Sequence, residues 1–136
     1  MKLFSFQNVE SRLSNLIFYN IDIDEYLIES SFSNHALENS IFIKNHLSQD
    51  FYMSFSYDNV LLNRIFGMIF YRSFIKFENS NVSILSSILK QKIVDNLTLK
   101  QSLIVFLGII DSIIIKYSVF KNHVTANNGA VRIIFV

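Results

Sequence analysis

Thr98-Leu99-Lys100-Gln101-Ser102-Leu103-Ile104-Val105-Phe106-Leu107-Gly108-Ile109-Ile110-Asp111-Ser112-Ile113-Ile114-Ile115-Lys116 is the stretch on which the fold turns. Thr98 with Gln101 three residues on has the form of a capping box, in which each side chain satisfies an orphan amide at a helix start. Beyond it only Ser102, Gly108, Asp111 and Ser112 interrupt the apolar residues before Lys116. A helix apolar on nearly every side is a central one. The pattern therefore predicts one buried helix over 98–116. Its longest apolar run ends at Asp111, short of the roughly 18–20 residues a membrane span needs, so no membrane span is expected.

Working outward, Val82, Leu85, Leu89 and Ile93 fit an amphipathic helix over 81–94. Residues 60–77 read both ways, and length favours a helix over 60–73, with a hairpin as the alternative. From Asp50 to Asn59, Phe51, Met53, Phe55 and Tyr57 alternate with polar or smaller neighbours, which is a strand period. Val9, Leu13, Leu16 and Ile17 lie at helical spacing, a short segment with Ile23, Leu27 and Ile28 follows, and Ser33 has the chemistry of an N-cap for a helix through Leu47. At the far end Asn128-Gly129 sits between β-formers, the signal of a hairpin whose strands would be 124–126 and 131–135. No internal repeat is evident. The expected fold is mostly α, with α+β as the alternative. It is a single globular domain, 1–136, compact around helix 98–116 and ending in a short β-hairpin.

Composition agrees with one domain. The chain has 136 residues, 51% hydrophobic and 17% charged, enough apolar surface for a core and too much for global disorder. Cysteine is absent, which removes disulfides, thiolate ligands and a thiol nucleophile. Phenylalanine, isoleucine, asparagine, lysine and tyrosine together make 62 residues against 10 of glycine, alanine, arginine and proline, the signature of an AT-rich gene. The first residues make a poor signal peptide, and a cytoplasmic location is expected.

Catalytic and ligand motifs are missing. His35, His46 and His123 have no partner at metal-ligand spacing, and there is no P-loop, G-x-G-x-x-G or G-x-S-x-G. Asp22 and Asp24 are paired carboxylates, but general acid–base work needs surroundings that separate their pKa values. No enzyme, cofactor or metal is expected.

Charge layout carries the functional expectation. Residues 1–58 hold eight acids against Lys2, Arg12 and Lys44, whereas residues 59–136 hold nine bases against Glu78, Asp95 and Asp111. Glu10, Asp22, Asp24, Glu25 and Glu29, interleaved with Tyr19 and Tyr26, form a candidate docking face for a basic protein. Nine bases over the second part are thin for nucleic acid, and no reader motif accompanies them, so nucleic-acid binding is not expected. The leading expectation is a small non-catalytic binding protein of the toxin-immunity or inhibitor type, neutralising a basic toxin or nuclease domain. As an alternative, Leu62-Asn63-Arg64-Ile65-Phe66-Gly67-Met68-Ile69-Phe70 resembles the Arg-plus-apolar groove region of viral Bcl-2-like helical bundles, which implies binding of an amphipathic helix. It departs from that pattern at Asn63, where the family has glycine, and in lacking tryptophan.

Overall fold

Where the backbone turns left-handed explains the architecture. Asn8, Asn15, Asn20, Phe32, Asn39, Tyr57, Arg64, Asn79, Ser86 and Tyr117 all have φ between 49° and 58°, and Gly108 has φ 84°. Such a conformation is rare outside glycine and least unfavourable for asparagine, which supplies five of these positions. Each is a corner, between successive strands or, at Asn39 and Arg64, within a long one. The computed structural model describes residues 3–43, 45–47, 51–70, 73–92, 102–122 and 131–134, and these form an all-β, parallel solenoid with no helix.

One face stacks β1 (Phe4–Gln7), β5 (Ile28–Ser31), β8 (Phe51–Ser56), β10 (Ser73–Glu78), β13 (Ile104–Leu107) and β16 (Val131–Ile134) in that order. A second sheet wraps the next two faces. Its long strands β6 (Asn34–Ile43) and β9 (Asn59–Phe70) bend at the corners Asn39 and Arg64. Around them lie the shorter β2 (Glu10–Ser14), β3 (Ile17–Tyr19), β11 (Asn81–Leu85), β12 (Ile88–Lys92), β14 (Ile113–Lys116) and β15 (Val119–Asn122). β4 (Asp22–Ile23) pairs with β7 (His46–Leu47). Every ladder is parallel, so Phe4 stacks beside Ile28, Ile28 beside Met53, Met53 beside Ile75 and Ile75 beside Ile104.

The corners are held by side chains that hydrogen-bond from coil to coil. The amide of Val9 donates to Ser33 Oγ at 3.1 Å, that of Ser33 to Asp58 Oδ1 at 2.7 Å, and that of Asp58 to Ser80 Oγ at 3.1 Å. At the next corner Leu16 donates to Ser40, Ile65 to Ser87 and Ser87 to Ser118. The serine hydroxyls in turn donate to the carbonyl two residues back, as Ser33 does to Ser31 and Ser80 to Glu78. These bonds satisfy backbone groups where the strand ladders are interrupted, which a buried turn requires.

In-register stacking also builds the core. Strands about 4.8 Å apart suit offset-stacked rings. Phe55, Phe77 and Phe106 stack with centroids 5.5 and 5.1 Å apart. On β5 the equivalent position is Ser30, too small to continue the stack. The ring of His35 enters from the neighbouring face instead, 5.1 Å from Phe6 and 5.6 Å from Phe55. One aromatic column, Phe6–His35–Phe55–Phe77–Phe106, therefore threads the interior. Phe18, Phe42 and Phe74 make a second cluster beside it.

The expected central helix over 98–116 is overturned. Within its described part, Ile104–Leu107 and Ile113–Lys116 are separate strands on different faces, joined through the Gly108 corner. Nor is the run uniformly buried, since Ile109 is 71% exposed. The described residues of the helices expected over 9–19, 33–47, 60–73 and 81–94 form strands and corners instead, and Ser33 caps a corner rather than a helix. The cause is an aliased period. Corners recur seven residues apart, as Asn8–Asn15, Phe32–Asn39, Tyr57–Arg64 and Asn79–Ser86 do. Core residues flanking a corner, such as His35 and Phe42 or Val82 and Leu89, inherit that separation. Seven residues are also two helical turns. The alternation over 51–56 is indeed a strand. The C-terminal hairpin is corrected too, because β16 pairs in parallel with β13. Residues 98–101, with the capping box, and 123–130, with Asn128-Gly129, lie outside the described residues. The Bcl-2-like reading has no helices to build it, and residues 62–70 belong to β9.

Candidate functional site

Outward side chains on a solenoid form rows parallel to its axis, because equivalent positions stack in register. On the second face one such row is Glu10, Asn34, Asn59, Asn81 and Ser112, and the next is Arg12, Ala36, Leu61, Ser83 and Ile114. Between and over them runs an open groove of about 670 Å³. Three asparagines wall it as a ladder. Asn59 Nδ2 donates to Asn34 Oδ1 at 2.7 Å, and Asn81 Nδ2 donates to Asn59 Oδ1 at 3.2 Å. The backbone amide of Ser112 donates to Asn81 Oδ1 at 3.1 Å. Half-buried Ala36, Leu61 and Ser83 make the floor. At one end Arg12 Nη2 meets Glu38 Oε2 at 2.8 Å, so the cation is already paired. At the corner preceding Asn34 and Asn59, the exposed rings of Phe32 and Tyr57 stack at 4.9 Å with 3° between planes.

Beneath the groove lies a buried polar cluster. The His35 ring is hydrogen-bonded through Nδ1 to Ser11 Oγ and through Nε2 to Ser30 Oγ. A neutral imidazole suits this arrangement, one nitrogen donating and the other accepting. Asp58 Oδ2 lies 3.8 Å from Nε2, fully buried and without a hydrogen-bond partner. Burial lowers the His35 pKa by disfavouring its cation. Burial also raises that of Asp58, opposed by the hydrogen bond from the Ser33 amide and by the nearby Ser30 hydroxyl. Serine, histidine and aspartate are the residue types of nucleophilic hydrolysis. Here, however, Ser30 and Asp58 share one imidazole nitrogen, and the ring is packed between Phe6 and Phe55. The arrangement keeps a histidine satisfied inside an aromatic column.

The expected docking residues are spread around the first coil and onto the start of the second rather than over one face. Glu10 is exposed at the groove's end, and Tyr19, 56% exposed, ends β3 on the following face. Asp22, Asp24 and Glu25 are exposed together at and after β4, with Asp22 in register beside His46. Half-buried Tyr26 precedes β5, and Glu29 lies on the first face between Ser5 and Ser54. The structure thus brings Asp22, Asp24 and Glu25 together and separates Glu10 from Glu29. The groove residues Asn34, Asn59 and Asn81 went unread in the sequence, although each sits two residues after a left-handed corner. Among the described residues no group of His, Asp or Glu is placed to hold a metal ion, and no helix is long and apolar enough to cross a membrane. Searches against protein-family models, curated proteins and solved structures find no match to this chain.

Proposed function

We propose that the protein is a non-catalytic binding protein that neutralises a basic protein partner, a toxin or nuclease domain, through the acidic surface of its first coil and the start of its second. One observation carries this reading: a solenoid converts order along the chain into position along an axis. Among the described residues, the acid excess before residue 59 and the base excess after it therefore lie toward opposite ends. An acidic end steers a basic partner into encounter and orients it. Exposed Ile17 and Tyr19 on the first coil supply apolar and aromatic contact area.

The test is association kinetics with a panel of basic nuclease and toxin domains. Changing Asp22, Asp24, Glu25 and Glu29 to Lys slows association at least about tenfold at low salt, and the deficit shrinks as salt screens the field. Tyr26→Ala acts instead on the off-rate, with little salt dependence. The control changes Arg64, Lys76, Lys90 and Lys92 to Glu and leaves association nearly intact. If the control set abolishes binding while the acid reversals do nothing, the acidic coil is not the docking surface.

A further inference from the structure

The groove of the second face is built for a different ligand from the acidic coil. From the Glu10 position to that of Ser112 it crosses four strand-to-strand steps, about 19 Å at the usual sheet spacing. A primary amide offers two N–H donors and two acceptor lone pairs. In Asn59 the ladder uses one donor and one acceptor, leaving one of each directed away from it. Asn34 and Asn81 are held by the same ladder, so three amides stand in fixed orientation at the sheet repeat.

Charge decides what such a row can take. Its middle is neutral, and the end cation, Arg12, is paired with Glu38. A phosphate backbone needs free Lys or Arg, which the groove does not offer. An extended peptide adds to an open strand edge, whereas this is the face of a sheet whose backbone groups are already paired. Hydroxyl groups that both donate and accept match the amides, and the C–H faces of sugar rings match Ala36 and Leu61. The exposed stacked rings of Phe32 and Tyr57 lie at the corner on the other side of the ladder. We infer that the groove binds a neutral glycan chain lying along the solenoid axis, held by the Asn34–Asn59–Asn81 ladder over the Ala36–Leu61 floor.

Native electrophoresis in gels cast with soluble dextran, mannan or xyloglucan, with heparin as the anionic comparison, tests this. At least one neutral polysaccharide should retard the wild-type protein. Leu61→Glu, which puts a carboxylate on the floor, and Asn59→Leu, which breaks the ladder, should each weaken retardation at least tenfold while keeping the far-ultraviolet circular dichroism unchanged. The four acid reversals of the docking surface should leave it unaltered, which separates the two sites. Retardation by heparin alone, by no polysaccharide, or equally in wild type and in folded groove variants would overturn the inference. If both groove variants unfold, Ser83→Glu on the same floor decides between the same outcomes.

Discussion

Asp58→Ser should make the protein more stable at neutral pH. Asp58 occupies a corner position where the adjacent coils carry Ser33 and Ser80, so serine already fits the local backbone. A serine there can accept the Ser33 amide, as Asp58 Oδ1 does at 2.7 Å. It can also donate to the Ser56 carbonyl, as Ser33 and Ser80 donate two residues back. What disappears is Oδ2, buried without a partner. An unsatisfied buried acceptor costs about 1–3 kcal/mol and more when charged, while loss of the Ser30 interaction costs about 1 kcal/mol. The net expectation is a gain of about 1–2 kcal/mol at pH 7. The sign of the pH dependence follows from the raised pKa. Folded Asp58 holds its proton more tightly than the unfolded chain, so its contribution is present below the ordinary value of 3.8 and lost as pH rises through the raised value. The advantage of the variant should therefore shrink on acidification. His35 has the opposite sign, its contribution being present above 6.5 and lost as pH falls through its lowered value. Urea unfolding of both proteins across the acid-to-neutral range measures these effects. A variant less stable than wild type at pH 7, with the same pH slope, would show that the buried carboxylate supports His35 rather than burdening the core.

Phe106→Ala should destabilise by about 3–5 kcal/mol in denaturant unfolding, because the ring is fully buried and stacks on Phe77. A loss under about 1 kcal/mol would remove Phe106 from the aromatic column. Gly108→Ala should cost about 1–3 kcal/mol, since φ is 84° and a Cβ would lie 2.2 Å from Asn79 Oδ1. That oxygen accepts the Ile109 amide at 2.8 Å, so the side chain cannot swing aside without losing a corner bond. An unchanged thermal midpoint would contradict this description of the corner.

Parts of this structure were legible in the sequence and parts were hidden by the same seven-residue spacing. Phe51 to Ser56 read correctly as a strand because six alternating residues contain no corner. Val82 and Leu89 read as one helix face because a corner shifts the alternation and leaves core residues two helical turns apart. The repeat itself was masked by unequal coils: equivalent corner residues are separated by 24, 25, 22 and 31 positions. The visible trace was asparagine or serine just before serine, as in Asn39-Ser40, Asn79-Ser80 and Ser86-Ser87. The amide ladder had no linear signature, since Asn34, Asn59 and Asn81 become neighbours only through the strand register. The charge asymmetry, by contrast, was plain in the sequence, and the solenoid gives it a direction.

Phe106→Ala would lower stability in a central helix and in a solenoid alike, so the architecture needs a distance. Asn63 and Leu85 are in register on adjacent strands, and Lys116 follows on the next. The native chain has no cysteine to label by accident. Nitroxides on Asn63→Cys and Leu85→Cys together should show strong dipolar broadening, their backbones being about 4.8 Å apart. The Asn63→Cys and Lys116→Cys pair, two steps apart, should broaden less. A doubly labelled Asn63–Leu85 spectrum equal to the sum of the single-label spectra would contradict the parallel solenoid.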